Sequence, residues 1–128
     1  MKKLLLIAFS VLLLTSCSKD DEATIIGNWY FYKTSIFESG QETVEMHVNE
    51  CTTKKDYIKF KTDDVAESYF YDAQCIEELY STFYSLDGTD LIIDGDALEV
   101  ILLTDKSLKI KQFSTGTSGD YYILEFKK

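Results

Sequence analysis

Cys51, Cys75 and His47 carry the most reactive side chains in the central part of this 128-residue chain. The two cysteines allow three states. They can pair, they can be buried free thiols, or one can act as a nucleophile. A nucleophilic cysteine needs a base beside it, and His47 is the only histidine available. His47 alternates with Glu45 against Met46 and Val48, so it reads as a solvent-facing strand residue. A single histidine supplies no usual zinc site unless cysteines join it. Asp87, Asp90, Asp94 and Asp96 gather acid around two Gly-containing turns. Their spacing is not that of a calcium loop, and turn chemistry explains them. Glu77 and Glu78 are adjacent, and nothing sets either against a second carboxylate as glycoside hydrolysis requires. The expectation is no catalytic residue, no metal and no cofactor.

Cys17 is a different case. Lys2 and Lys3 precede the run Leu4 to Leu14, which is apolar apart from Ser10. Eleven residues of helix span roughly 16 Å, about half a bilayer core, which suits a signal peptide better than a membrane span. Leu14-Thr15-Ser16-Cys17 then resembles a bacterial lipobox, in which the cysteine becomes the lipidated N-terminus of the mature protein. The rival is an ordinary signal peptide cut near Ser16. The lipobox reading makes residues 1–16 a lipoprotein signal peptide and residues 17–24 a lipidated acidic tether. Its membrane partner is reached through lipid on Cys17, because several acyl chains anchor stably where one does not. Lys19-Asp20-Asp21 resembles the surface-export signal of Bacteroidetes lipoproteins. That implies an outer-membrane protein at the cell surface, with the periplasmic face as second choice. In an exported chain, oxidising conditions make a Cys51–Cys75 disulfide the default.

Composition narrows the partners. The formal net charge is −9, with 13 Lys and no Arg or Pro. Losing Lys2 and Lys3 takes the net charge to about −11. Such a surface repels nucleic acid and anionic lipid, and nucleic-acid binding is not expected. Nine Tyr, eight Phe and one Trp can fill one modest core from large side chains.

Short strands with period-two alternation make up residues 25–128. They are expected at Ile25–Phe37, Thr43–Val48, Asp56–Thr62, Val65–Tyr71, Thr82–Leu86, Asp90–Asp94, Leu98–Leu103, Leu108–Phe113 and Tyr121–Lys127. Asp72–Tyr80 reads as an irregular loop or a short helix, since Ile76, Leu79, Tyr80 and Phe83 have helical spacing. The whole predicts an all-β, antiparallel up-and-down meander of about eight or nine strands, as a barrel or a sandwich.

Gly27-Asn28-Trp29 resembles the Gly-x-Trp signature of lipocalins. Cys51 before Tyr57–Phe60, Cys75, Tyr84-Ser-Leu-Asp-Gly88, the strands over Leu98–Ile110 and Tyr121–Phe126 together resemble the small lipocalin-like domains of Bacteroidetes lipoproteins. That resemblance implies a lipocalin-like barrel over 25–128. Lipocalins stack a late-strand Arg on the signature Trp. With no Arg here, Lys127 or Lys128 is expected to take its place. Trp29, Phe31, Phe60 and Phe70 are expected to share the interior and to contact any ligand. Two functions fit this barrel. One is a non-enzymatic, lipid-anchored barrel that binds a small apolar ligand. The other is a surface module that touches a protein or glycan, with a filled barrel and outward Tyr30, Tyr32 and Tyr57.

Overall fold

The computed structural model describes residues 23–114 and 119–128. Cys17, the signal peptide at 1–16 and residues 17–22 of the tether lie outside them.

Nine strands run in order: β1 (Gly27–Glu38), β2 (Gln41–Met46), β3 (Tyr57–Phe60), β4 (Val65–Tyr71), β5 (Glu77–Asp87), β6 (Asp90–Ile93), β7 (Asp96–Leu103), β8 (Ser107–Phe113) and β9 (Tyr121–Lys127). All pairings are antiparallel. β1 and β3–β9 form a closed eight-stranded barrel, sealed where β1 meets β9, and β2 is an extra strand. Closure removes the edges of the eight barrel strands that would otherwise template aggregation, and leaves one on β2.

β1 is long because it serves three neighbours. Gly27–Tyr30 pairs with β3, Tyr30–Phe37 with β9, and Lys33–Glu38 also with β2. β2 and β3 thus occupy one edge of β1 in succession, and residues 47–56 loop out between them. A bulge at Tyr32 shifts the β1–β9 register. Such a bulge adds one unpaired residue and re-aims the side chains beyond it. Two-residue turns at Ser39-Gly40 and Asp94-Gly95 have φ of 51° and 77°, and of 51° and 83°. Positive φ at both positions matches the right-handed twist of the flanking strands.

Alternation points Trp29, Ile58, Phe60, Ala66, Tyr84, Leu91, Val100, Leu108, Ile110 and Phe126 into one buried cluster. Trp29, Phe60, Leu91, Leu108 and Ile110 are its largest fully buried side chains. Each such burial stabilises by about 1.5–3 kcal/mol. Ile25 plugs this end of the barrel and accepts a 2.7 Å hydrogen bond from Trp29 Nε1 through its carbonyl.

Residues 72–80 form neither a helix nor an irregular loop throughout. Asp72 caps a turn: its carboxylate accepts from Gln74 N and Ile76 N at 2.9 Å each. From Glu77 the chain is already strand, paired with β4 from Tyr71↔Glu77 to Val65↔Phe83. The helically spaced Ile76, Leu79, Tyr80 and Phe83 stay 62, 50, 60 and 76% exposed. A helix there would have had no surface to bury them against, whereas β4 offers seven residues of ladder.

On the outer wall, Glu125 is 7% exposed beneath three lysines. Lys127, Lys33 and Lys109 approach its carboxylate to 2.9, 3.4 and 3.8 Å. Burial acts against its charge, but the Lys127 hydrogen bond and the other two ammonium groups outweigh it and hold the carboxyl below the usual range. A depressed folded-state value stabilises above the unfolded-chain value, about 4.3, and that contribution is lost as pH falls through the folded one. Glu125→Gln should therefore lower stability by about 1–2 kcal/mol at neutral pH. Its urea midpoint should converge on that of the wild type in acid. A gap that persisted unchanged to low pH would show that the carboxylate's charge contributes nothing.

Candidate functional site

The four interior aromatics divide into two pairs. Trp29 and Phe60 are fully buried in the packed end. There Phe60 meets Tyr84 edge-on at 4.9 Å, and the Lys128 ammonium lies 4.6 Å over the Trp29 ring. The missing Arg is thus replaced by a lysine one residue beyond β9. Phe31 and Phe70 sit at the other end of the barrel and are only partly buried.

At that open end Phe31 is the hub. Its ring stacks on His47 at 5.1 Å and on Phe70 at 5.4 Å, and it meets Phe126 at 4.9 Å. Phe70 in turn meets the exposed Tyr80 edge-on at 6.0 Å. Tyr80 points inward because it pairs with Ser68, two residues from the inward Ala66. Leu124 continues the apolar lining from β9.

His47 departs from its expected place. It leaves β2 and turns inward, half-buried, where Nε2 hydrogen-bonds Asp56 Oδ2 at 2.7 Å. Asp56 is buried and organises the 47–56 loop. Its other oxygen accepts from Tyr71 N at 2.9 Å, and its own N–H donates to Asn49 Oδ1 at 2.7 Å. No sequence signal marked Asp56, because its role is contact with residues up to 15 positions away. His47, Val48, Glu50, Asp56, Phe70 and Glu78 line a hollow of about 380 Å³ beside this network.

The disulfide Cys51–Cys75 is present, with Cα atoms 4.9 Å apart. It fastens the 47–56 loop to the β4–β5 turn, so neither cysteine is a nucleophile in this state. The acids near the turns are dispersed. Asp87 and Asp90 close one hairpin, and Asp94 accepts from Thr82 Oγ1 at 3.0 Å. Among the described residues no three His, Cys, Asp or Glu side chains gather closely enough to hold a metal ion.

A closed antiparallel barrel, packed at one end around a Gly-x-Trp strand and with partly buried aromatics toward the other among the described residues, invites comparison with solved structures. The chain superposes on a lipocalin-like protein from Bacteroides uniformis with a TM-score of 0.58, at 15% identity over 80% of this chain and 96% of that one. The fold is a lipocalin-like barrel. An uncharacterised protein from Bacteroides eggerthii aligns with a TM-score of 0.53, at 13% identity over 80% and 98% of the two chains. No protein-family profile and no curated protein matches this sequence. In this lipocalin-like barrel the signature Trp29 belongs to the packed floor. Phe31, Phe70 and Tyr80 keep part of their aromatic surface accessible on the inward face.

Proposed function

We propose that this protein is a non-enzymatic, lipid-anchored envelope protein whose barrel takes one small apolar ligand at its open end. The observation that carries this reading is the Phe31–Phe70–Tyr80 lining, an inward aromatic surface that the core leaves partly uncovered. Small-ligand sites are concave, mostly apolar and furnished with a few polar groups, and here His47 and Glu78 supply them. Trp29 and Phe60 form the floor beneath the ligand.

The lipobox at Leu14–Cys17 supports attachment through Cys17, and Lys19-Asp20-Asp21 favours the cell surface over the periplasmic face. The described chain enters at the packed end, next to Trp29, so the mouth lies at the far end of the barrel from residues 23–26. That arrangement leaves an anchored barrel accessible to ligand.

Native mass spectrometry of residues 18–128, made in an oxidising compartment, tests the carrier reading. The expected result is a retained apolar mass, or saturable binding of a naphthylamine dye. Phe70→Ala should weaken dye binding about tenfold, the equivalent of roughly 1.4 kcal/mol of lost aromatic contact. A bare protein that binds no dye would remove this function. Lipid attachment is tested separately by labelled palmitate, whose incorporation Cys17→Ser should abolish.

A further inference from the structure

A second concavity lies on the outer wall, where no interior ligand reaches. Tyr30, Tyr57 and Tyr71 line it from β1, β3 and β4, joined by Thr53, Lys54, Lys55 and Lys128, around an open volume of about 600 Å³. Alternation puts these tyrosines outside, since Trp29 and Ile58 take the interior positions beside them. Tyr30 and Tyr57 are directly opposed across β1 and β3, with ring centroids 5.6 Å apart and planes tilted by 53°. Tyr57 stacks on Tyr69 of β4 at 4.6 Å, which fixes its ring. The disulfide brings the loop holding Thr53, Lys54 and Lys55 against this wall, and the Lys54 ammonium lies 4.8 Å over the Tyr71 ring.

The charge of the groove runs against that of the chain. Acidic side chains outnumber lysines 22 to 13 overall, yet the lining has three lysines and no acidic side chain. Among the described residues Lys33, Lys61, Lys109 and Lys127 are engaged in ion pairs, whereas the groove's Lys54, Lys55 and Lys128, like Lys59, Lys106 and Lys111, are not. The nearest acid at the rim, Glu77, accepts a 3.1 Å hydrogen bond from Tyr71 Oη. Burial, with that bond, pushes the Tyr71 phenol up to about 12, and burial raises Tyr57 as well. Both phenols are therefore neutral at physiological pH, and the side chains lining the groove carry only the positive charge of its lysines, with Glu77 as a negative neighbour at the rim. The Debye length at physiological salt is about 8 Å, so distant carboxylates on the wall are screened and the adjacent ammonium groups dominate.

We propose that this groove binds an acidic saccharide. The lysines meet its carboxylate or sulfate groups. The hydroxyls of Tyr30, Thr53, Tyr57 and Tyr71 meet its hydroxyls, and the tilted Tyr30 ring offers an apolar face to its C–H bonds. The shallow, hydroxyl-lined form suits a polar, hydroxylated ligand better than an apolar one. The absence of Arg argues against a forked phosphate clamp. The groove shares Tyr71 with the hollow beside the mouth and has six other lining residues of its own.

Calorimetry on the full-length chain in neutral detergent micelles tests this. The probes are a galacturonate hexamer, a sulfated glucose oligomer and neutral maltohexaose. The expected result is that at least one acidic oligomer binds at least about tenfold tighter than maltohexaose and weakens as salt is raised. Whichever oligomer binds identifies carboxylate or sulfate as the recognised group. The exposed pair Lys54→Gln/Lys55→Gln should cost about tenfold while dye binding at the mouth stays unchanged. Tyr57→Phe, which keeps the ring, should give a smaller loss. Equal affinity for maltohexaose, no loss in the Gln pair, or binding of anionic lipid vesicles without binding of either acidic oligomer would each overturn the proposal.

Discussion

Replacing Cys51 and Cys75 with serine is expected to destabilise the barrel by about 2–4 kcal/mol. The two residues are 24 positions apart, and the chain-entropy account for a loop of that length gives about 3.5 kcal/mol. The location adds a second reason. The 47–56 loop interrupts what would otherwise be one continuous edge from β2 into β3, so its backbone has little ladder of its own. Its ties are the disulfide and the buried Asp56, which holds His47, Asn49 and the β4 backbone. For a domain of this size the loss corresponds to a melting-temperature drop of roughly 10–25 °C. Urea midpoints of the double-serine variant, compared with reduced and oxidised wild type, check it. The same variant should lose affinity for acidic saccharide, because Thr53, Lys54 and Lys55 are no longer held over Tyr71. An unchanged midpoint would mean that the Asp56 network alone closes the loop.

Trp29→Ala should cost about 3–5 kcal/mol, the range for a buried large aromatic truncated in a packed core. Trp29 is fully buried, donates to the Ile25 carbonyl and carries the Lys128 ammonium on its face. Truncation removes all three contacts and unseats the Ile25 plug. Trp29→Phe keeps most of the apolar volume but loses the indole N–H, so it should cost less than the alanine variant. Trp29 is the only tryptophan. Wild-type emission should be blue-shifted, as for an indole out of water, and the variants must be followed by circular dichroism. A domain stability of about 5–15 kcal/mol is typical, so the alanine variant removes a large fraction of it. A Trp29→Ala protein as stable as the wild type would show that Trp29 does not hold the floor together.

Much of the barrel was legible from local pattern. Tyr57–Phe60 alternates cleanly, and its pairing puts Ile58 and Phe60 inside as the sequence predicts. Asp87-Gly88 and the residues before Asp96 mark hairpins that the structure forms. The cysteine pair was legible from number and compartment alone. Other features were not. The first half of β5 read as an irregular loop or a short helix, with four apolar residues at helical spacing, and only the partner strand β4 decides the matter. His47 looked like a strand residue facing water. It turns inward because Asp56, nine positions later, offers a buried carboxylate.

Local pattern in the chain was therefore enough for the fold class, most strand positions, the inward placement of Trp29 and Phe60 and the pairing of the cysteines. Those rest on a period of two, on turn residues and on covalent pairing, all of which act between near neighbours or between unique partners. Long-range pairing was needed to close β1 on β9 and to leave β2 outside. It also packed one end of the barrel while Phe31 and Phe70 toward the other stay only partly buried, and brought three lysines to three tyrosines on the outer wall. Each of these depends on register across strands far apart in the chain. A one-residue bulge such as that at Tyr32 changes which side chains meet without altering the alternation a sequence displays.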